Sequence, residues 1–147
     1  VWHEAGILET FPAGGLTVLW RVEAGNGWAS PVVAGGRVFL LDAKLESPRA
    51  EERVRRFEAD TGQPLWNRTY DVNYPDWAFD PSQMMGPYAT PTVERDRLYS
   101  RGATGRLLCL STADGSIFWE KDLVKEYGSE LFSGNTPCPL IEGDLLI

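Results

Sequence analysis

The chain has 147 residues, 43% hydrophobic and 24% charged, with a formal net charge of −7 and a pI near 4.7. That length suffices for one core, and no apolar run approaches the roughly 18 residues that cross a bilayer. The acidic balance argues against a nucleic-acid partner, whose phosphates are held by clustered Lys and Arg.

Residues 1–16 (VWHEAGILETFPAGGL) form an irregular lead-in, apolar at Trp2, Ile7, Leu8 and Phe11 but without a helical or strand period. Residues 17–22 (TVLWRV) are β-branched and aromatic and predict a strand carrying Trp20, the last of a blade whose other strands lie elsewhere.

Two longer units follow. Residues 29–39 (ASPVVAGGRVF) match 89–99 (ATPTVERDRLY), and 55–66 (RRFEADTGQPLW) match 108–119 (LCLSTADGSIFW). In the second pair Gly62 aligns with Gly115 and Trp66 with Trp119. Each unit predicts four antiparallel strands. The first spans 30–70 with strands 30–33, 37–41, 54–58 and 64–70; the second spans 88–123 with strands 89–93, 97–101, 106–110 and 117–123. A half unit occupies 136–147, with a strand at 137–141 and a turn on Glu142-Gly143-Asp144. Gly and Asp at the reversals supply positive φ and local hydrogen bonds.

Repeats of this size, ending on tryptophans separated by 46 and 53 residues, predict an all-β propeller segment of four-stranded antiparallel blades. The chain opens at Val1 and stops within a predicted strand, so a segment of a longer protein is expected. A blade cannot bury both faces alone. Trp20, Trp66 and Trp119 are therefore read as wedges between blades, each indole N–H seeking a turn carbonyl of the adjacent repeat, with Gly62 and Gly115 allowing close approach. Arg55 and Arg56 interrupt the pattern where the second blade has Leu108 and Cys109. Local pairing with Glu51, Glu52 or Glu58 is the expected compensation.

Strand alternation sorts the connections onto two faces. One carries only short turns. The other carries residues 42–52, 71–87 and 125–136, which are read as loops; the candidate binding face is Tyr74, Trp77, Phe79, Met84, Met85, Tyr127 and Phe132. The alternative is that these aromatics pack down as a lid over the blade edges.

No catalytic or metal residues are assigned. His3 is the only histidine and lies in the lead-in. Asp71, Asn73, Asp76 and Asp80 have the composition of a calcium loop but not the EF-hand glycine and glutamate. Cys109, in an apolar strand, reads as an ordinary buried thiol, and Cys138 sits between Pro137 and Pro139; the two give no disulfide framework or redox motif.

The LxLxxxxGxxxW element at 108–119, its copy ending at Trp66 and the two hairpins resemble the pyrroloquinoline-quinone-type β-propeller repeat. That family includes quinoprotein dehydrogenases and an outer-membrane assembly propeller without cofactor. The resemblance implies a ring of about eight blades, bacterial export to a periplasmic or extracellular location, and often no cofactor. It reaches Gly62, Trp66, Gly115 and Trp119. It does not reach a quinone site, which in the dehydrogenases has adjacent cysteines and a bound Ca²⁺. The function expected is a non-catalytic scaffold that packs against the remaining blades of its propeller and binds protein or carbohydrate ligands on the long-loop face, with no cofactor. The competing expectation is a dehydrogenase of alcohols or sugars using pyrroloquinoline quinone with Ca²⁺, its cofactor site lying mainly in blades outside this segment.

Overall fold

The computed structural model describes residues 10–83, 85–128 and 137–147. Two four-stranded antiparallel sheets follow one another in the chain, each in simple meander order. The first consists of β1 (Val32–Ala34), β2 (Arg37–Glu46), β3 (Arg49–Glu58) and β4 (Pro64–Val72). The second consists of β5 (Thr92–Glu94), β6 (Arg97–Arg101), β7 (Arg106–Ser111) and β8 (Ile117–Asp122). A hairpin of β9 (Ile141–Glu142) and β10 (Leu145–Leu146) begins a third unit. These are blades of a β-propeller, as the repeats predict.

Each innermost strand starts later than expected. Pro31, Pro91 and Pro139 stand just before or close to the start of β1, β5 and β9, and a residue without an N–H cannot donate to a ladder. The residue before each proline bonds between blades instead. Ser30 N–H donates to Thr90 Oγ1 at 3.1 Å, and Thr90 N–H donates to Cys138 Sγ at 3.3 Å.

The core spans both sheets: Phe39, Leu41, Val54, Leu98, Leu108 and Leu110 are all at most 2% exposed. Each sheet carries a register shift at the same place, between Arg56 and Phe57 in the first and between Cys109 and Leu110 in the second. The extra residues, Leu65 and Phe118, face solvent. Such a bulge bends the outer strand and re-aims its next side chain, here Trp66 and Trp119. Trp66 lies 6.2 Å from Phe39, and Trp119 lies 6.0 Å from the equivalent Tyr99.

Trp66 reaches the next blade, where its Nε1–H donates to Thr112 O at 3.0 Å. The preceding indole does the same one blade earlier, Trp20 Nε1–H donating to Ala59 O at 2.7 Å. Gly115 and Gly62 lie beneath the two rings at φ of 70° and 69°, and a Cβ at either would stand 2.9 Å from Trp66 or 2.5 Å from Trp20. Two arginines add to the contact of the first pair: Arg56 Nη1 donates to Ala113 O at 2.7 Å and Arg68 Nε to Gly115 O at 2.9 Å. One turn thus accepts three side-chain donors from the neighbouring blade. Trp119 lines a cavity of about 430 Å³ with Pro137, Pro139 and Leu146 of the third unit.

Three local expectations are corrected. Residues 17–22 form no strand among the described residues, because no described neighbour offers them a ladder; Val18 and Leu19 are exposed although Trp20 is docked. Residues 42–52 are not a loop. β2 and β3 pair continuously from Arg37↔Glu58 to Glu46↔Arg49 and turn on Ser47-Pro48 alone, whose peptide bond is cis. Among the described residues neither Arg55 nor Arg56 forms a salt bridge with Glu51, Glu52 or Glu58, although the Glu58 charge acts on Arg56. Arg55 bonds Asp42 Oδ2 at 3.0 Å and Glu23 O at 2.8 Å, while Arg56 takes the carbonyl of Ala113.

Substituting Gly115→Ala adds both a strained φ and a clash with the indole, and Trp66→Ala removes the indole altogether. Urea denaturation should show each variant destabilised by about 2–4 kcal/mol, with the exposed Leu65→Ala changing little.

Candidate functional site

Meander topology places the β2–β3 turn, the β4–β5 connection and the segment after β8 at one end of the blades, with the β1–β2 and β3–β4 turns at the other. The long-connection end is built on two buried carboxylates. Their positions on paired strands are what hold the face together.

Asp42, on β2, is 2% exposed. Arg53 grips it through both carboxylate oxygens, at 2.7 and 2.8 Å, and Gly25 N–H adds a 2.8 Å bond from the segment leading into the first blade. With Arg55 also on Oδ2, the acid is surrounded by donors. A fork of this kind is among the stronger and more directional contacts available to a carboxylate.

Glu52, on β3, is fully buried. Its Oε2 accepts from the Tyr70 hydroxyl at 2.5 Å, and its Oε1 accepts from the Tyr74 hydroxyl and from Ala103 N–H, each at 2.8 Å. Ala103 belongs to the β6–β7 turn, so this carboxylate joins the two blades. A side chain at Gly102 would occupy the space of Glu52 itself. The Arg106 guanidinium sits 4.7 Å from the Tyr70 ring centre. Burial, then the adjacent Glu52 charge, pushes the Tyr70 hydroxyl well above the usual tyrosine range, and the same causes in the same order raise Tyr74.

These contacts distribute the predicted face. Tyr74 points inward to Glu52. Met85 is buried, in contact with the Tyr88 hydroxyl through its sulfur at 3.6 Å, and Phe79 is half-buried. Trp77 and Tyr127 are 51% and 68% exposed. Trp77 lies in a 3-10 turn (Asp76–Phe79) after β4, and Tyr127 ends α1 (Leu123–Tyr127) after β8. The two occupy corresponding places, each on a short helical turn following the outermost strand of its blade. Met84, Phe132 and His3 lie outside the described residues.

The connection after β4 is strapped down at its far end. Pro87 O accepts from Trp28 N–H at 2.8 Å and Ala29 N–H at 3.1 Å, and the Trp28 ring stacks on Tyr88 at 6.4 Å with 15° between planes. Trp28 and Asp42, Glu52 and Arg53 are not among the predicted residues. The first carries a signal: WASP at 28–31 aligns with YATP at 88–91, one position before the matched stretches 29–39 and 89–99.

The described residues do not fit a quinone and calcium site of the kind the quinoprotein dehydrogenases carry. Cys109 and Cys138 are free and lie in different blades, one buried and one exposed. No group of three or more His, Cys, Asp or Glu side chains is arranged to hold a metal ion among the described residues.

The family model described as outer membrane protein assembly factor BamB matches residues 15–76 and 50–147. The chain belongs to this family. The crystal structure of BamB from Moraxella catarrhalis is similar over 84% of this chain and 45% of that one, at 16% identity and a TM-score of 0.43. The chain therefore spans less than half the length of that protein. No curated protein matches it.

Glu52→Ala strands two tyrosine hydroxyls and a backbone donor, and should cost about 3 kcal/mol or more in chemical denaturation. Because the folded-state pKa values of Tyr70 and Tyr74 are raised, the unfolded chain loses these protons first. Their contribution is complete below about pH 10 and is lost as pH rises beyond it. Denaturation midpoints followed upward from pH 9 should fall more steeply in the native protein than in Tyr70→Phe/Tyr74→Phe.

Proposed function

We propose that the chain is a non-catalytic part of a periplasmic β-propeller scaffold, binding a protein partner through its long-connection face during assembly of outer membrane proteins. The family supports the scaffold role and the class of partner. The observation that carries the choice of face is the pair Trp77 and Tyr127, exposed at equivalent places on consecutive blades. Large aromatics on short turns anchored to a rigid sheet supply much contact area with little loss of side-chain entropy. Tyr74 and Met85, on either side of the Trp77 turn in the chain, are engaged with Glu52 and Tyr88.

In this reading Trp20, Trp66 and Trp119, with Gly62 and Gly115, act as docking elements that fix the spacing between blades and hence between the two exposed aromatics. No cofactor takes part. A carbohydrate ligand uses the same aromatic faces by stacking, and is the outcome to be separated from a protein.

Photo-crosslinking from positions 77 and 127 of the full-length protein should yield protein adducts. Trp77→Ala and Tyr127→Ala should each weaken capture of the crosslinked partner roughly tenfold or more while leaving the melting temperature unchanged. A large drop in melting temperature with capture intact makes these residues a lid instead. Stoichiometric uptake of pyrroloquinoline quinone with Ca²⁺, accompanied by dye-linked oxidation of an alcohol or sugar, overturns the non-catalytic assignment.

A further inference from the structure

At the opposite, short-turn end, the two blades border a half-open cavity of about 390 Å³ whose walls include Arg37, Arg56, Arg95, Phe39 and Thr112. Three arginines around one cavity is an unusual arrangement in a chain of net charge −7. Arg37 and Arg56 come from β2 and β3 of the first blade, and Arg95 from the β5–β6 turn of the second. Glu58, bonded to Arg37 Nη1 at 2.9 Å, offsets one of the three charges.

The donors of this cluster are only partly used. Arg37 Nη1 also reaches Gly36 O at 2.9 Å, and Arg56 Nη1 holds Ala113 O. The Nε–H of Arg37 and the Nε–H of Arg56 are buried without a hydrogen-bond partner among the described residues. Buried donors left in this condition are rare in folded proteins. Burial, and next to it repulsion from Arg37, holds the Arg56 guanidinium below its usual value, against the pull of Glu58. Both effects oppose a positive charge at that position, and an anion relieves the second.

Arg95 gives an independent indication. Its φ is 54°, the only positive value at a residue other than glycine among the described residues. The corresponding turns of the first and third units place Gly35 and Gly143 there, at 55° and 58°. The repeat therefore offers a glycine solution to this turn, and the second blade has an arginine in a conformation that L side chains rarely adopt. Local strain kept at one member of a repeat is a mark of a functional constraint. Arg95 is exposed and lines the cavity together with Arg37 and Arg56.

We propose that Arg37, Arg56 and Arg95 form a binding site between the two blades for an oxyanion, a carboxylate or a tetrahedral anion such as sulfate or phosphate. Planar guanidiniums match both chemistries by paired N–H donors. Screening confines the chain's overall negative field to a length of about 8–10 Å at physiological salt, so the local cluster governs capture. The anion bridges the blades on the face opposite Trp77 and Tyr127. The site is thus separate from the proposed partner surface.

The decisive variant is Arg95→Gly, which restores the residue the other units use and removes one guanidinium without touching the core. In the full-length protein, sodium sulfate titrated against sodium chloride at matched ionic strength should raise the melting temperature saturably. Arg95→Gly should melt at the same or a higher temperature in chloride, yet need about tenfold more sulfate for the same rise. A glutamate-rich hexapeptide, with its glutamine counterpart as control, distinguishes the source of the anion. Tighter binding of the acidic peptide than of sulfate assigns the site to carboxylates of a protein, and the reverse order assigns it to free inorganic anions. The proposal is overturned if the wild type gives no saturable response to either probe, or if wild type and Arg95→Gly give superimposable titrations.

Discussion

The spacing of the blades rests on one repeated contact, an indole lying on a glycine and donating to the carbonyl three residues before it. Trp66 meets Gly115 and Thr112 O in the same way that Trp20 meets Gly62 and Ala59 O. The contact combines the two things a sheet needs in order to pack face-on against another: apolar area, and an acceptor for the one polar atom that burial would otherwise strand. The bulge before each outer-strand tryptophan turns the side chain toward its target, so backbone irregularity and side-chain docking are two parts of one device.

The two ends of the blade pair are held by different chemistry. At the long-connection end, buried acids accept from tyrosines, arginines and backbone amides, and Glu52 alone links β3, β4, the segment after it and the next blade. At the short-turn end, arginines donate to backbone carbonyls of the neighbouring turn. Glu52, Arg56 and Arg68 thus pair their charge with backbone groups of the adjacent blade, while Asp42 is held by arginines of its own sheet. Such contacts are directional, and they determine how one blade is rotated against the next in a way that apolar burial does not.

Much of this architecture was legible because the repeats are local in sequence. Matching hairpins and matching Gly-to-Trp elements located the strands of both blades and the residues that meet between them. What escaped the sequence were the places where polar side chains do the work of a core. Leu41, Ala43 and Leu45 alternate as an ordinary strand, but Asp42, Lys44 and Glu46 between them, followed by Glu51, Glu52 and Arg53, make the stretch look solvated. In the structure Asp42 and Glu52 are buried because each is surrounded by donors from other segments, and composition carries no record of those donors. Tyr74 and Met85 stand in the sequence equally for a binding face or a packed-down lid, because a connection rich in aromatics reads alike whether it faces inward or outward. The strand expected at 17–22 failed differently: the stretch has strand composition, but a strand is defined by its neighbour.

Pro31, Pro91 and Pro139 have a consequence for the shape of the whole. The innermost strands β1 and β5 are close neighbours, and such strands would gain hydrogen bonds by zipping together around the central axis. A ring at the head of each strand deletes the amide that would begin that pairing, while Ser30 and Thr90 spend theirs on a side chain next door. The sheets are thereby kept as separate leaves whose first strands lie side by side without pairing.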